Sequence, residues 1–204
     1  MATVMTSQHP PGPLASASAS GGASAGALVG DAAERVILVD ADDRETGIAP
    51  KLLAHQEGLR HRAFSVFVRD PQGRQLLQRR AAVKYHSGGL WSNTCCGHPR
   101  PGEGLAEAAG RRLFEELGFT CALRPLGRLH YAVDFGNGLH ENEMVTLFAG
   151  EHAGAVRPNP DEVDAIAWTD EPSLLADIEA NPDAYTYWFR LYMTEHLPVV
   201  RAGL

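Results

Sequence analysis

The stretch that most constrains this chain is "NTCCGHPRPGEGLAEAAGRRLFEELGF", residues 93–119. Its first part sets two adjacent cysteines and a histidine among glycines and prolines, a composition that predicts neither helix nor regular strand. Its second part predicts a helix. Leu105, Ala109, Leu113 and Leu117 fall on one stripe, Glu103 sits near the start, and Gly118 is a natural C-terminal stop. On residue types alone the cysteine-bearing loop is open to four readings: a zinc site, a redox pair, a nucleophile, or a turn holding two small buried side chains.

The flanking sequence alternates strand-like and helix-like segments. "ERVILVDADDRETG" reads as a short apolar strand entering a polar turn. "RAFSVFVRDPQGRQLLQRR" reads as two strands around a Pro-Gln-Gly turn, with Phe64, Val66 and Val68 on one face. "LGRLHYAVDFGNGLHENEMVTLFAG" carries the Asn-Gly signal of a hairpin. "DEVDAIAWTD" adds a strand, and "PSLLADIEANP" and "AYTYWFRLYMTEHL" add helices. Antiparallel hairpins mixed with helices in this way predict an α+β fold, an α/β/α sandwich with a mixed sheet and flanking helices.

Residues 1–31 differ from the rest. "PPGPLASASASGGASAGALVG" has no apolar periodicity and cannot bury enough surface to offset its ordering entropy, so a disordered tail is expected there. Residues 32–204 then form a single domain. No basic segment precedes a continuous apolar run, and no apolar stretch reaches membrane-spanning length. The net charge of −7 argues against non-specific nucleic-acid binding, while local basic clusters such as "QRRAAVKYH" leave anionic small molecules open. Three cysteines, two of them neighbours, make a disulfide framework improbable and a reducing cytoplasm the expected setting.

From Gly97 the chain follows the pattern G-x5-E-x7-R-E-U-x-E-E-x-G-U at Gly97, Glu103, Arg111, Leu113, Glu115, Glu116, Gly118 and Phe119. This resembles the Nudix box, a loop–helix–loop whose carboxylates surround a divalent metal on a diphosphate. In the full pattern a glutamate right after the arginine would lie one helical turn before the last glutamate, on the same face, where the pair could share a hard cation. Here Glu116 is kept but the earlier position is Arg112. "NTCCGHP", the Glu-x-Glu of "HENEM" and the upstream "KLLAHQEGLRHRAF" together resemble one branch of that superfamily, the type I isopentenyl-diphosphate Δ-isomerases. The resemblance runs from about Glu34 to Leu197.

That resemblance implies a 1,3 proton shift converting isopentenyl diphosphate to dimethylallyl diphosphate in isoprenoid biosynthesis. Such a shift needs an acid and a base placed on the substrate. It implies Cys96 and Glu143 as the acid–base pair, Tyr131 as the hydrogen-bond partner of Glu143, and Trp188 as the π face for a cationic intermediate. It implies His55, His61, His98, Glu141 and Glu143 as ligands of a divalent metal. Glu141 and Glu143 are two apart on a predicted strand and so share a face. Three imidazoles and two carboxylates suit Mn²⁺ or Mg²⁺, and Zn²⁺ also accepts them. Glu116 would help hold a second Mg²⁺ on the diphosphate, whose oxygens would meet Lys51, Arg80, Lys84 and Arg112. Cys95 and Cys121 are expected to be structural, as are Trp91 and Trp168. His9, His152 and His196 lie outside every motif and are expected at the surface. The implied partner is a small diphosphate acted on by a monomer or homodimer, with neither nucleic acid nor membrane involved.

Two other readings compete. A Nudix hydrolase would want a carboxylate at position 112 and gives no role to Cys96 or the histidines. A catalytically inactive Nudix-like binding module tolerates the lost carboxylate but leaves the joint occurrence of cysteine, histidines and Glu-x-Glu unexplained.

Overall fold

A computed structural model describes residues 34–84 and 86–202; the expected disordered tail and His9 lie outside the described residues. The fold is organised by β3 (His61–Arg69), a strand buried on both faces that reads as a near-continuous apolar run. It pairs in parallel with β8 (His140–Glu151), in a register running from His61↔Glu143 to Arg69↔Glu151. Its other edge takes β6 (Cys95–Gly97), antiparallel, with Ser65 opposite Cys96 and Val66 opposite Cys95. The expectation that this glycine- and proline-rich stretch excludes strand is therefore corrected. The buried backbone groups of β3 need partners, and that demand overrides local composition. The close fit also explains Gly97, where a Cβ would lie 3.0 Å from the Phe64 ring.

The remaining strands extend this centre. β1 (Arg35–Val39) pairs with β2 (Glu45–Pro50) and touches β3. β4 (Gln75–Arg80) meets β3 at the Asp70 turn, then diverges to pair with β5 (Trp91–Ser92) and β9 (Val163–Thr169). β7 (Arg124–Asp134) forms the expected hairpin with β8 across residues 135–139. Among the described residues the sheet has nine strands.

Helices cover both faces. α1 (Lys51–Gln56) leads into β3. α2 (Leu105–Leu117) is the helix read from the sequence, ended by Gly118 at φ 72°. It buries Ala108, Ala109, Leu113 and Leu117 against Val66, Val68 and Phe148 on one face of the sheet. On the other face, α3 (Glu171–Ala180), a 3₁₀ turn (Pro182–Ala184), α4 (Tyr187–Thr194) and α5 (Leu197–Ala202) enclose a second core around Phe67, Leu147, Phe189, Tyr192 and Met193. The result is the mixed-sheet α/β/α sandwich predicted above. His152, expected at the surface, is half-buried and stacks on Phe119 with ring centroids 3.8 Å apart. Among the described residues no helix is long and apolar enough to cross a membrane.

Candidate active site and metal centre

The parallel register of β3 and β8 sets His61 directly opposite Glu143, and α1 delivers His55 to the same place. His55 Nδ1 lies 2.8 Å from the Lys51 carbonyl, and His61 Nδ1 lies 2.8 Å from that of Leu59. A nitrogen facing a carbonyl must carry the proton, so each ring turns a bare Nε2 lone pair inward. His55 Nε2 is 3.3 Å from Glu141 Oε2, while His61 Nε2 and His98 Nε2 are 3.5 Å and 2.8 Å from Glu143 Oε1. The donor atoms of His55, His61, His98 and Glu143 all lie within 4.8 Å of one another.

This cluster has the signature of a cation site. Among the described residues, buried His61 Nε2 and Glu141 Oε2 have no hydrogen-bond partner, a state that is costly unless something else satisfies them. Burial, with the Glu143 charge beside it, pushes the Glu141 carboxyl well above the usual range. Burial acts on Glu143 too, but the imidazoles of His61 and His98 beside it outweigh that and hold the carboxyl well down. Burial lowers His98 to about 4, leaving a neutral imidazole suited to a metal. A divalent ion would satisfy these lone pairs and allow both carboxylates to ionise together.

One residue at this cluster was missed from the sequence. His86 is half-buried, with Nε2 3.5 Å from Glu141 Oε1, and it groups with His55 and Glu141 as donors. Its ring stacks over Phe135 at 6.0 Å and meets Trp188 edge-on at 5.9 Å. Nothing in the sequence marked it, because it belongs to no spaced motif.

The thiol of Cys96 enters the same pocket from β6. Its Sγ donates to Asn93 Oδ1 at 3.1 Å and lies 3.4 Å from Ser65 Oγ, which also bonds the Tyr192 hydroxyl at 3.2 Å. Burial pushes the Cys96 thiol up to about 11, so it keeps its proton near neutrality. Cys95 is fully buried in the other core, beneath α2. Tyr131, from β7, donates to Glu143 Oε2 at 2.8 Å.

Four cations line the pocket, most of them tied to carboxylates. Arg112 bonds Glu115 at 2.9 Å, Glu116 at 2.6 Å and Glu162 at 3.1 Å, and Lys84 also pairs with Glu162. Lys51 bonds Glu34 at 2.7 Å. Arg80 sits 5.3 Å over the Trp188 ring. Glu116, besides Arg112, accepts from Gln78 Nε2 at 2.8 Å. Of the residues singled out from the sequence, Cys96, His98, Glu116, Tyr131, Glu141, Glu143, Trp188, Lys51, Arg80, Lys84 and Arg112 all line one pocket. His55 and His61 are not among its lining residues and belong to the donor cluster with His98 and Glu143. Chemically, the pocket combines a cationic end, a half-buried thiol, a cluster of potential cation ligands and an indole.

The chain is similar to known proteins over most of its length. The sequence model of the NUDIX domain matches residues 59–189. An isopentenyl-diphosphate Delta-isomerase of Burkholderia multivorans is 55% identical over 171 residues, covering 84% of this chain and 94% of that protein. Isopentenyl-diphosphate Delta-isomerase 2 of Aromatoleum aromaticum is 51% identical over 155 residues, covering 76% of this chain and 82% of its own length. Among solved structures, DR0079 from Deinococcus radiodurans superposes with a TM-score of 0.65 at 24% identity, covering 79% of this chain and 98% of that one, a likeness of fold.

Proposed function

The chain belongs to the Nudix family, within its type I isopentenyl-diphosphate Δ-isomerase branch, and on that premise we propose that it converts isopentenyl diphosphate to dimethylallyl diphosphate. The observation that carries this reading is the pairing, in one pocket, of a protonated thiol at Cys96 with a carboxylate at Glu143. A hydrolase would have no use for the thiol, and Arg112 stands where hydrolysis calls for a carboxylate.

In the reaction a proton adds to the terminal alkene carbon, and the π electrons form the new C–H bond, leaving a tertiary cation. A proton then leaves C2, and its C–H electrons become the new double bond, so one proton enters and one departs. Cys96 and Glu143 carry these two transfers. Tyr131, donating to Glu143 Oε2, fixes the orientation of the carboxylate. Trp188 offers its face to the cation, an interaction of about 2 kcal/mol in a desolvated site. Lys51, Arg80, Lys84 and Arg112 grip the diphosphate and anchor the alkene at the far end.

His55, His61, His98, Glu141 and Glu143 would hold a divalent metal, Mn²⁺ or Mg²⁺ by their mixed nitrogen and oxygen donors, with Zn²⁺ also accepted. When bound, the ion supplies a fixed positive charge that tunes Glu143. Glu116 would serve a second Mg²⁺ brought with the substrate. The same reading makes the protein a cytoplasmic enzyme of isoprenoid biosynthesis. It would work as a monomer or homodimer on a small molecule, without nucleic acid or membrane; the three free cysteines suit a reducing compartment.

The test is incubation with isopentenyl diphosphate and a divalent ion, followed by assay for an acid-labile allylic product and for free phosphate. Allylic product without phosphate release is expected. Phosphate without allylic product would point to a hydrolase, and neither product to a binding module.

A further inference from the structure

The thiol of Cys96 and the indole of Trp188 come from elements far apart in sequence, yet a short buried chain of hydrogen bonds joins them. Cys96 Sγ donates to Asn93 Oδ1 at 3.1 Å. Ser92 Oγ donates to the same oxygen at 3.1 Å, and Trp188 Nε1 donates to Ser92 Oγ at 3.0 Å. Ser92 and Asn93 are each 1% exposed, so both are shielded from bulk solvent.

The direction of every bond in this chain is fixed by what each group can donate. Asn93 Nδ2 gives its two protons to the carbonyls of Val66 and Cys95, both at 3.0 Å. The amide therefore cannot turn over, and Oδ1 is left as a pure acceptor facing Cys96 and Ser92. Ser92 has one proton and spends it on that oxygen. Its lone pairs then receive the indole N–H, which can only donate, and the Thr186 hydroxyl at 3.3 Å. The segment itself is held in place: Thr94 Oγ1 accepts from the Val68 N–H at 2.9 Å and donates to the Leu76 carbonyl at 2.7 Å. Rotating the indole leaves its buried N–H without a partner, and rotating the thiol gives up its bond to Asn93 Oδ1, changes that such sites resist.

We propose that Ser92 and Asn93 are positioning residues for the isomerisation, a relay that holds the Cys96 thiol and the Trp188 indole in one fixed mutual arrangement. Proton transfer demands a sulfur held at a fixed place beside the alkene, and the cation that results must meet the indole face. The two requirements are met together because both groups are referred to a single amide oxygen. None of the relay's hydrogen bonds is made by a diphosphate contact, so breaking the relay is expected to act on turnover more than on binding.

This inference rests on the isomerase reading. Its test is steady-state kinetics on the metal-loaded enzyme with Ser92→Ala and Ser92→Thr. Ser92→Ala is expected to lower kcat about tenfold or more while KM for isopentenyl diphosphate stays within about twofold. Ser92→Thr keeps the hydroxyl and is expected to recover most of that loss. Should Ser92→Ala fail to fold, Ser92→Cys under reducing conditions fills the same space with a weaker hydrogen-bonding group. A lowered kcat at constant KM in that variant supports the relay, and an undiminished kcat overturns it. A Thr variant as impaired as Ala, a loss confined to KM, or an unaltered kcat in Ser92→Ala each overturns the relay while leaving the isomerase reading intact. An unsubstituted enzyme that yields no allylic product overturns both.

Discussion

Cys95 and Cys96 are neighbours in sequence and face opposite sides of the sheet. Successive side chains on a strand point to opposite faces, and β6, short as it is, obeys that rule. Cys95 packs with Phe64, Val66, Leu113 and Leu117 under α2, whereas Cys96 packs toward the C-terminal helices and opens onto the pocket. The pairing of β6 with β3 therefore separates a thiol packed in the core from one that opens onto the pocket, and a slip of one residue in that register would exchange them.

The Tyr131 hydroxyl bonds Glu143 at 2.8 Å while its ring is buried in the core. Tyr131→Phe keeps the ring and removes only the donor. The expected result is a kcat lowered about tenfold or more and a stability loss of no more than roughly 1.5–3 kcal/mol, the worth of one hydrogen bond to a charged group. Kinetics and thermal denaturation of the same preparation check both halves.

Chelation should inactivate the enzyme, and readdition of Mn²⁺ or Mg²⁺ should restore it. Binding to the folded state alone also stabilises it, by about 2.7 kcal/mol at a hundredfold excess over Kd. A rise in Tm of several degrees on adding metal is expected. His61→Ala should abolish that rise, because His61 turns its Nε2 into the donor cluster. Thermal scans with and without metal decide it.

Much of this was legible in the sequence, and the exceptions share a cause. α2, β3 and the β7–β8 hairpin carry their own periodicity over many residues, so they could be read directly. β5 and β6 span two and three residues, too few to show any period, and exist only because β4 and β3 offer them an edge. α1 has six residues and no side-chain cap, and it was not read as a helix. The same limit applies to the site. Spaced motifs pointed to Cys96, His98, Glu141 and Glu143, but His86 carries no motif and is brought to Glu141 by a loop. Nor does any local pattern announce that Ser92 and Asn93 link Cys96 to Trp188.

Burial alone would raise the Glu34 carboxyl, but the Lys51 ammonium 2.7 Å away outweighs it and holds Glu34 at about 2. A carboxyl depressed on folding contributes stability above its unfolded value near 4.5, and that contribution is lost as pH falls toward 2. The difference in urea midpoint between the unsubstituted protein and Glu34→Gln should be constant above about pH 5. It should close progressively between 4.5 and 2. A difference independent of pH would mean that the ion pair contributes nothing.

Glu162 pairs with both Lys84 and Arg112, two of the cations assigned to the diphosphate. Its carboxylate competes for the charges the substrate needs. Glu162→Gln is expected to lower KM for isopentenyl diphosphate severalfold with kcat little altered, because charge-assisted contacts to the substrate no longer displace a resident partner. A higher KM would mean that Glu162 instead holds Lys84 and Arg112 in place.

The central claim is that one of two adjacent thiols performs the chemistry, and turnover of single-cysteine variants on isopentenyl diphosphate tests it most directly. Cys96→Ala should abolish formation of the allylic product while retaining the fold and metal binding, and Cys95→Ala should turn over at close to the unsubstituted rate. Substantial activity in Cys96→Ala, or an equal loss in Cys95→Ala, would contradict the account.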